Sequence, residues 1–97
     1  MPTTGLSDQE WVLIRGVIRQ HPEVSQVKLF GSRAKGMATQ RSDIDLALFG
    51  DLDALKAQTI QSELEELPLP YKFDVKHFDS IQLPALREHI ERVGVAV

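Results

Sequence analysis

A chain of 97 residues, 42% hydrophobic and 26% charged, has the balance of one globular domain (residues 1–97) and is neither disordered nor fibrous. Its net charge of −3 gives no basic footprint, so direct nucleic-acid binding is not expected, and the absence of cysteine removes disulfides, thiolate metal sites and cysteine nucleophiles. The opening "MPTTGLSDQEW" lacks the basic-then-apolar pattern of a signal peptide and no apolar run approaches a membrane span, so the expectation is a soluble, cytoplasmic protein.

Residues 7 to 20 predict a helix. Ser7 and Glu10 have the spacing of a capping box, and Trp11, Ile14, Val17 and Ile18 recur at helical intervals. Pro22 disfavours helix at His21 and ends the segment. "VKLF", residues 27 to 30, reads as a short strand with Val27 and Leu29 on one side and Lys28 and Phe30 on the other. Gly31 ends it. Residues 32 to 41 read as a short helical turn followed by a loop. "DIDLALF", residues 43 to 49, is the clearest strand: Ile44, Leu46 and Leu48 share one face, Asp43 and Asp45 the opposite one. Residues 53 to 67 predict a second long helix, and "PLP" at 68 to 70 forces a turn. "YKFDVKHF", residues 71 to 78, alternates again, with Phe73 and Val75 facing one way and Asp74 facing the other with Lys72 and Lys76. Pro84 suits a first helical position, Leu83, Leu86, Ile90 and Val93 line one face, and Gly94 closes the helix. The terminal "VAV" either adds an edge strand or frays. The order α-β-α-β-α-β-α predicts an α/β domain: a small mixed sheet of three to four strands flanked by helices.

Asp43 and Asp45 pose a physical problem. Like charges about 4 Å apart repel by roughly 4 kcal/mol at an effective dielectric near 20, a large share of the roughly 5–15 kcal/mol that keeps a domain folded. Their Cα atoms lie about 6.5–7 Å apart on one face of a strand, so both carboxylates can bend toward one point. Two magnesium ions about 3.5–4 Å apart fit such a pair, offset its repulsion and recruit the triphosphate of a nucleotide. If the strand of Asp74 lies beside 43–49, this third carboxylate reaches the same place. There it can ligate the second ion and accept a proton from an attacking hydroxyl. Gly31 lets the backbone approach an anion closely, a helix starting at Ser32 would aim free N–H groups at it, and Ser32 adds a hydroxyl. Arg33, Lys35 and Arg41 make the connection basic, although basic residues on a short helix also serve as a solvated face. His21, His77 and His89 have no metal-ligand spacing and read as structural or surface groups. Trp11 reads as core, Ser7 as a cap, and Asp51, Asp53 and Asp79 as caps or turn residues.

Gly-Ser, ten residues, then D-x-D, on strand, turn and strand, resembles the nucleotidyltransferase superfamily of DNA polymerase β. The fuller "FGSRAKG…SDIDLALF", the later "FDVKHF" and the tail "LREHIERVGVAV" are most similar to its minimal nucleotidyltransferases, the MNT proteins. The resemblance implies that Gly31 and Ser32, with Arg33 and Lys35, form the nucleotide-phosphate loop. It implies that Asp43 and Asp45 are the metal-binding aspartates and that Asp74 is the third acidic residue of a catalytic and metal-binding trio. The reaction implied is transfer of a nucleoside monophosphate, AMP from ATP, to a hydroxyl with release of pyrophosphate. Mg2+ is the implied cofactor, as two ions for which Mn2+ can substitute. The implied partner is a helical HEPN protein in a hetero-oligomer, an RNA-cleaving toxin whose antitoxin is the MNT protein. Two other functions compete with this reading. One is a binding module that neutralises the HEPN partner by contact alone. The other is a phosphatase using D-x-D as nucleophile and acid, which the short chain and the Gly-Ser do not suit. So small a domain also predicts an open cleft that a partner or second copy completes.

Overall fold

The computed structural model describes residues 4–36 and 42–97, so Arg41 lies outside the described residues. Helix α1 runs Asp8–Ile18. It starts where the capping box predicts: the Glu10 N–H donates to Ser7 Oγ at 3.2 Å and the Ser7 N–H donates to Glu10 Oε1 at 2.9 Å. Strand β1 is Val24–Phe30, longer than the expected 27–30, because a tight turn, closed by the Val24 N–H donating to the His21 carbonyl at 3.1 Å, leads straight into it. A bulge at its start lets it pair with β2. Strand β2 is Ile44–Gly50, helix α2 is Ala54–Glu65 and strand β3 is Phe73–His77. Asp53 caps α2, accepting the Lys56 N–H at 2.8 Å. A 3₁₀ turn at Phe78–Ser80 leads to helix α3, Pro84–Val93, with Pro84 in its first turn. The tail "VAV" supplies strand β4, Val95–Ala96.

The four strands lie in the order β3-β2-β1-β4. β1 is antiparallel to both β2 and β4, whereas β2 and β3 are parallel and joined through α2, as a parallel neighbour requires. The sheet is therefore mixed and flanked by helices, as the sequence predicts. The expected order differs in two places. Among the described residues the connection after β1 makes a turn at 32–36 and no helix, and the chain finishes on a fourth strand.

Strand alternation divides the apolar residues between the two faces. Val27, Leu29, Ile44, Leu46, Leu48, Phe73 and Val75 pack against Trp11, Ile14 and Ile18 of α1 and Ala57, Ile60 and Leu64 of α2. Full burial of each large aliphatic side chain contributes roughly 1.5–3 kcal/mol. On the other face Phe30, Ala47 and Phe78 meet Ile90 of α3, with Phe49, Ile81 and Leu86 around them. That second cluster covers only part of its face. Among the described residues no helix is long and apolar enough to cross a membrane.

Candidate active site

The uncovered part of the second face is acidic. Asp45 pairs with Phe30 on one side and with Asp74 on the other, in a parallel ladder that also matches Ile44 to Phe73 and Leu46 to Val75. Ile44, Leu46, Phe73 and Val75 are all buried in the main core, so alternation sends Asp45 and Asp74 to the opposite face, side by side. Asp43 precedes β2 by one residue and falls two positions before Asp45, on the same side. Asp43 is exposed; Asp45 and Asp74 are half-buried. The structure thus brings all three sequence-predicted carboxylates to one end of one face.

Their electrostatics follow from that placement. Burial pushes the Asp45 carboxyl up to about 6, and the neighbouring charges of Asp74 and then Asp43 push in the same direction. Lys76 and Arg33 oppose the shift. Lys76, two residues along β3 from Asp74, places its Nζ 3.5 Å from Asp74 Oδ1. Among the described residues no three Asp, Glu, His or Cys side chains already form a metal cage. Magnesium takes one or two carboxylates plus substrate phosphates and keeps several waters. The donor set is all hard oxygen, and its members carry like charge at close quarters, so a divalent cation fits it chemically.

Gly31 follows β1 with φ of 75°, a conformation that favours glycine. A Cβ there would run into the Asp45 carboxylate. The turn at 31–36 therefore sits directly against the acidic face, and a side chain at position 31 would have to displace the Asp45 carboxylate. The turn is held by N–H bonds from Lys35 to the Gly31 carbonyl at 3.4 Å and from Gly36 to the Arg33 carbonyl at 3.2 Å. It is a single turn, in place of the helix expected to start at Ser32. Ser32 and Lys35 are exposed beside it.

Arg33 departs from the expected nucleotide-facing position. It is 1% exposed, the largest fully buried side chain of the described residues. Its Nε and Nη2 donate to the Ser42 carbonyl at 3.2 and 2.8 Å, and its Nη1 donates to the Thr4 carbonyl at 2.8 Å. The guanidinium carbon lies 4.9 Å from the centre of the Tyr71 ring. Thr4, Ser42 and Tyr71 were not legible as neighbours of the site, since no periodicity links them to Arg33.

The three histidines are structural. His21 Nε2 lies 2.7 Å from Glu63 Oε1, His77 Nδ1 lies 2.7 Å from Ser80 Oγ, and the His89 ring meets Phe30 edge-on at 6.2 Å. Trp11 is buried in the core, its Nε1 donating to Thr4 Oγ1 at 3.3 Å. A groove of about 410 Å³ between α1 and β1, lined by Trp11, Arg15, Arg19 and Gln26 among others, includes none of the candidate residues.

A four-stranded mixed sheet with a Gly-Ser turn set against paired aspartates is the framework of a nucleotidyltransferase. Residues 13–97 match the family described as "Polymerase beta, Nucleotidyltransferase", and the chain belongs to that family. It is 29% identical over 94 residues to the "Probable protein adenylyltransferase MntA" of Haemophilus influenzae, covering 95% of this chain and 82% of that one. Among solved structures it resembles a chain of a toxin-antitoxin crystallised with AMP-PNP. The TM-score is 0.73 at 20% identity, over 94% of this chain and 72% of that chain. It also resembles a chain of a complex between a tri-AMPylated Shewanella oneidensis HEPN toxin and its MNT antitoxin. There the TM-score is 0.71 at 19% identity, over 94% of this chain and 71% of the other. At those identities the structural likeness speaks for the fold.

Proposed function

We propose that this nucleotidyltransferase moves AMP from ATP to a hydroxyl of a helical HEPN-type partner protein, depends on magnesium, and acts as the antitoxin of that partner. The observation that carries the reading is the register of β2 and β3, which sets Asp74 beside Asp45, with Asp43 near enough for its charge to act on Asp45. The relatives support the partner and the nucleotide: one is named a protein adenylyltransferase, and another matching chain comes from an AMPylated HEPN complex.

In this reading Asp43 and Asp45 would hold Mg2+ ions, Asp74 would join at the second, and Mn2+ could substitute. When bound, the ions supply Lewis-acid neutralisation of the triphosphate. The Gly31 backbone and the Ser32 hydroxyl take up phosphate oxygens, and Lys35 adds positive charge beside them. Asp74 accepts the proton of the acceptor hydroxyl. The acceptor oxygen forms a bond to the α-phosphorus, the bond from that phosphorus to the bridging oxygen of the β-phosphate breaks, and pyrophosphate leaves. The open face leaves room for a partner to complete the site. We further propose that it works in the cytoplasm, where ATP is available, with residues 1–97 forming one nucleotidyltransferase domain.

The test is to incubate the chain with α-phosphate-labelled ATP and a HEPN-type protein encoded beside it. Label on the partner with wild type, and none with Asp43→Asn/Asp45→Asn, supports transfer. Neutralisation of the partner that survives the double change, with no label moved, establishes contact alone.

A further inference from the structure

Arg33 sits in the turn that holds Gly31 and Ser32, yet it is sealed from solvent. Burying a guanidinium is costly unless its donors are satisfied, so its partners say what it does. Two of them are one atom: Nε and Nη2 fork onto the carbonyl of Ser42, the residue before Asp43. A planar fork on one oxygen fixes direction as well as distance, which a lysine ammonium does not. The third donor reaches the Thr4 carbonyl, and the N-terminal segment is itself held there: the Leu6 N–H and Trp11 Nε1 both donate to Thr4 Oγ1 at 3.3 Å. The Tyr71 ring covers the guanidinium face, two residues before Phe73 opens the strand of Asp74. Four stretches of chain therefore meet on this one side chain: the N-terminal segment, the Gly-Ser turn, the entry to Asp43 and the entry to β3.

We propose that Arg33 is a positioning residue that sets the Gly31–Ser32 turn at a fixed distance from Asp43 and Asp45, with the Thr4–Leu6 segment as the strap that locks it. It does not touch the nucleotide. It acts through Ser42 on one side of the site and through its own turn on the other. This inference rests on the nucleotidyl-transfer reading only for its effect on nucleotide binding; the positioning itself is a property of the backbone.

Two variants test it. Arg33→Lys keeps the charge and loses the fork. Gly5→Ala keeps Arg33 and displaces the strap, because a Cβ at Gly5 would stand 2.7 Å from Arg33 Nη1 at a φ of +82°. Amide hydrogen exchange is measured along the chain, and binding of Mn2+–AMP-PNP by calorimetry. The expected result for Arg33→Lys is faster exchange confined to residues 31–36 and 42–45, retained protection in α2 and β3, and about 10–100-fold weaker Mn2+–AMP-PNP binding. Gly5→Ala moves both readouts the same way by less. Unchanged exchange at 31–36 and 42–45 in both variants overturns the proposal. So does protection lost evenly through the whole sheet in Arg33→Lys with Gly5→Ala like wild type, which marks a plain core residue. If wild type itself fails to bind Mn2+–AMP-PNP, the nucleotidyl-transfer reading falls, and the exchange pattern still decides the role of Arg33.

Discussion

Asp45 and Asp74 are direct cross-strand partners in the parallel β2–β3 ladder, and both face away from the main core. Two carboxylates opposite each other in a sheet are destabilising by themselves. Here the arrangement is fixed by their buried neighbours: moving either strand by one residue would put Leu46 or Val75 into water. The core therefore holds two like charges together, and burial first, then the charges of Asp74 and Asp43, raise the Asp45 carboxyl.

That shift makes stability depend on pH. Asp45 holds its proton more tightly in the folded chain, at about 6, than at its ordinary value of 3.8. Its protonated form therefore favours the fold. The contribution is complete below the ordinary value and is lost as pH rises through about 6. Asp45→Asn mimics the protonated group, so in metal-free buffer the variant should match wild type near pH 4 and exceed it near pH 7.5. The half-exposed site limits the gain to on the order of 1 kcal/mol, a Tm rise of about 4–8 °C. Thermal unfolding of both proteins across that range checks the sign; a constant difference between them would contradict it.

Gly31→Ala should damage nucleotide binding more than stability. The added methyl meets the Asp45 carboxylate, and the φ of 75° is strained for alanine by roughly 1–2 kcal/mol. The chain still folds, since the turn is at the surface, but the carboxylate must rotate off the acidic face. Calorimetry with Mn2+–AMP-PNP and a melting curve on the same sample separate the two effects.

Asp74→Asn should separate binding from chemistry. If Asp74 takes the acceptor proton, its loss lowers the rate of AMP transfer by about 10²–10⁴-fold. The KM for ATP changes far less than in Asp43→Asn/Asp45→Asn, because that pair includes Asp45, whose carboxylate lies against Gly31 of the Gly-Ser turn. A KM for ATP that rises as much as in the double variant would assign Asp74 to binding alone.

Ile60→Ala serves as the opposite case. Ile60 is fully buried under the sheet on the face away from the aspartates. Its truncation should cost about 2–5 kcal/mol in denaturant unfolding while nucleotide affinity, measured well below the new Tm, stays near wild type.

Much of this architecture was legible from alternation. Ile44, Leu46 and Leu48 against Asp43 and Asp45 define β2 and its two faces without any long-range information, and Phe73 and Val75 do the same for the strand of Asp74. The neighbour relation between β2 and β3 was not legible, because a parallel pair is joined through a helix and its register is set by packing in the shared core. The short helical turn at 32–36 is legible from composition, but its length is not: Gly36, at φ of 72°, closes it after one turn. Arg33 looked like a phosphate ligand beside Ser32. Its carbonyl partners stand 9 and 29 positions away, and no local pattern reports contacts of that range.

The most direct test of the central claim is titration of Mn2+ into the chain with AMP-PNP present, followed by calorimetry, for wild type and Asp43→Asn/Asp45→Asn. Wild type should take up the cation saturably, and the double variant should lose that uptake. Equal uptake by both, or none by wild type, would contradict the view that these aspartates hold a cation-bound triphosphate.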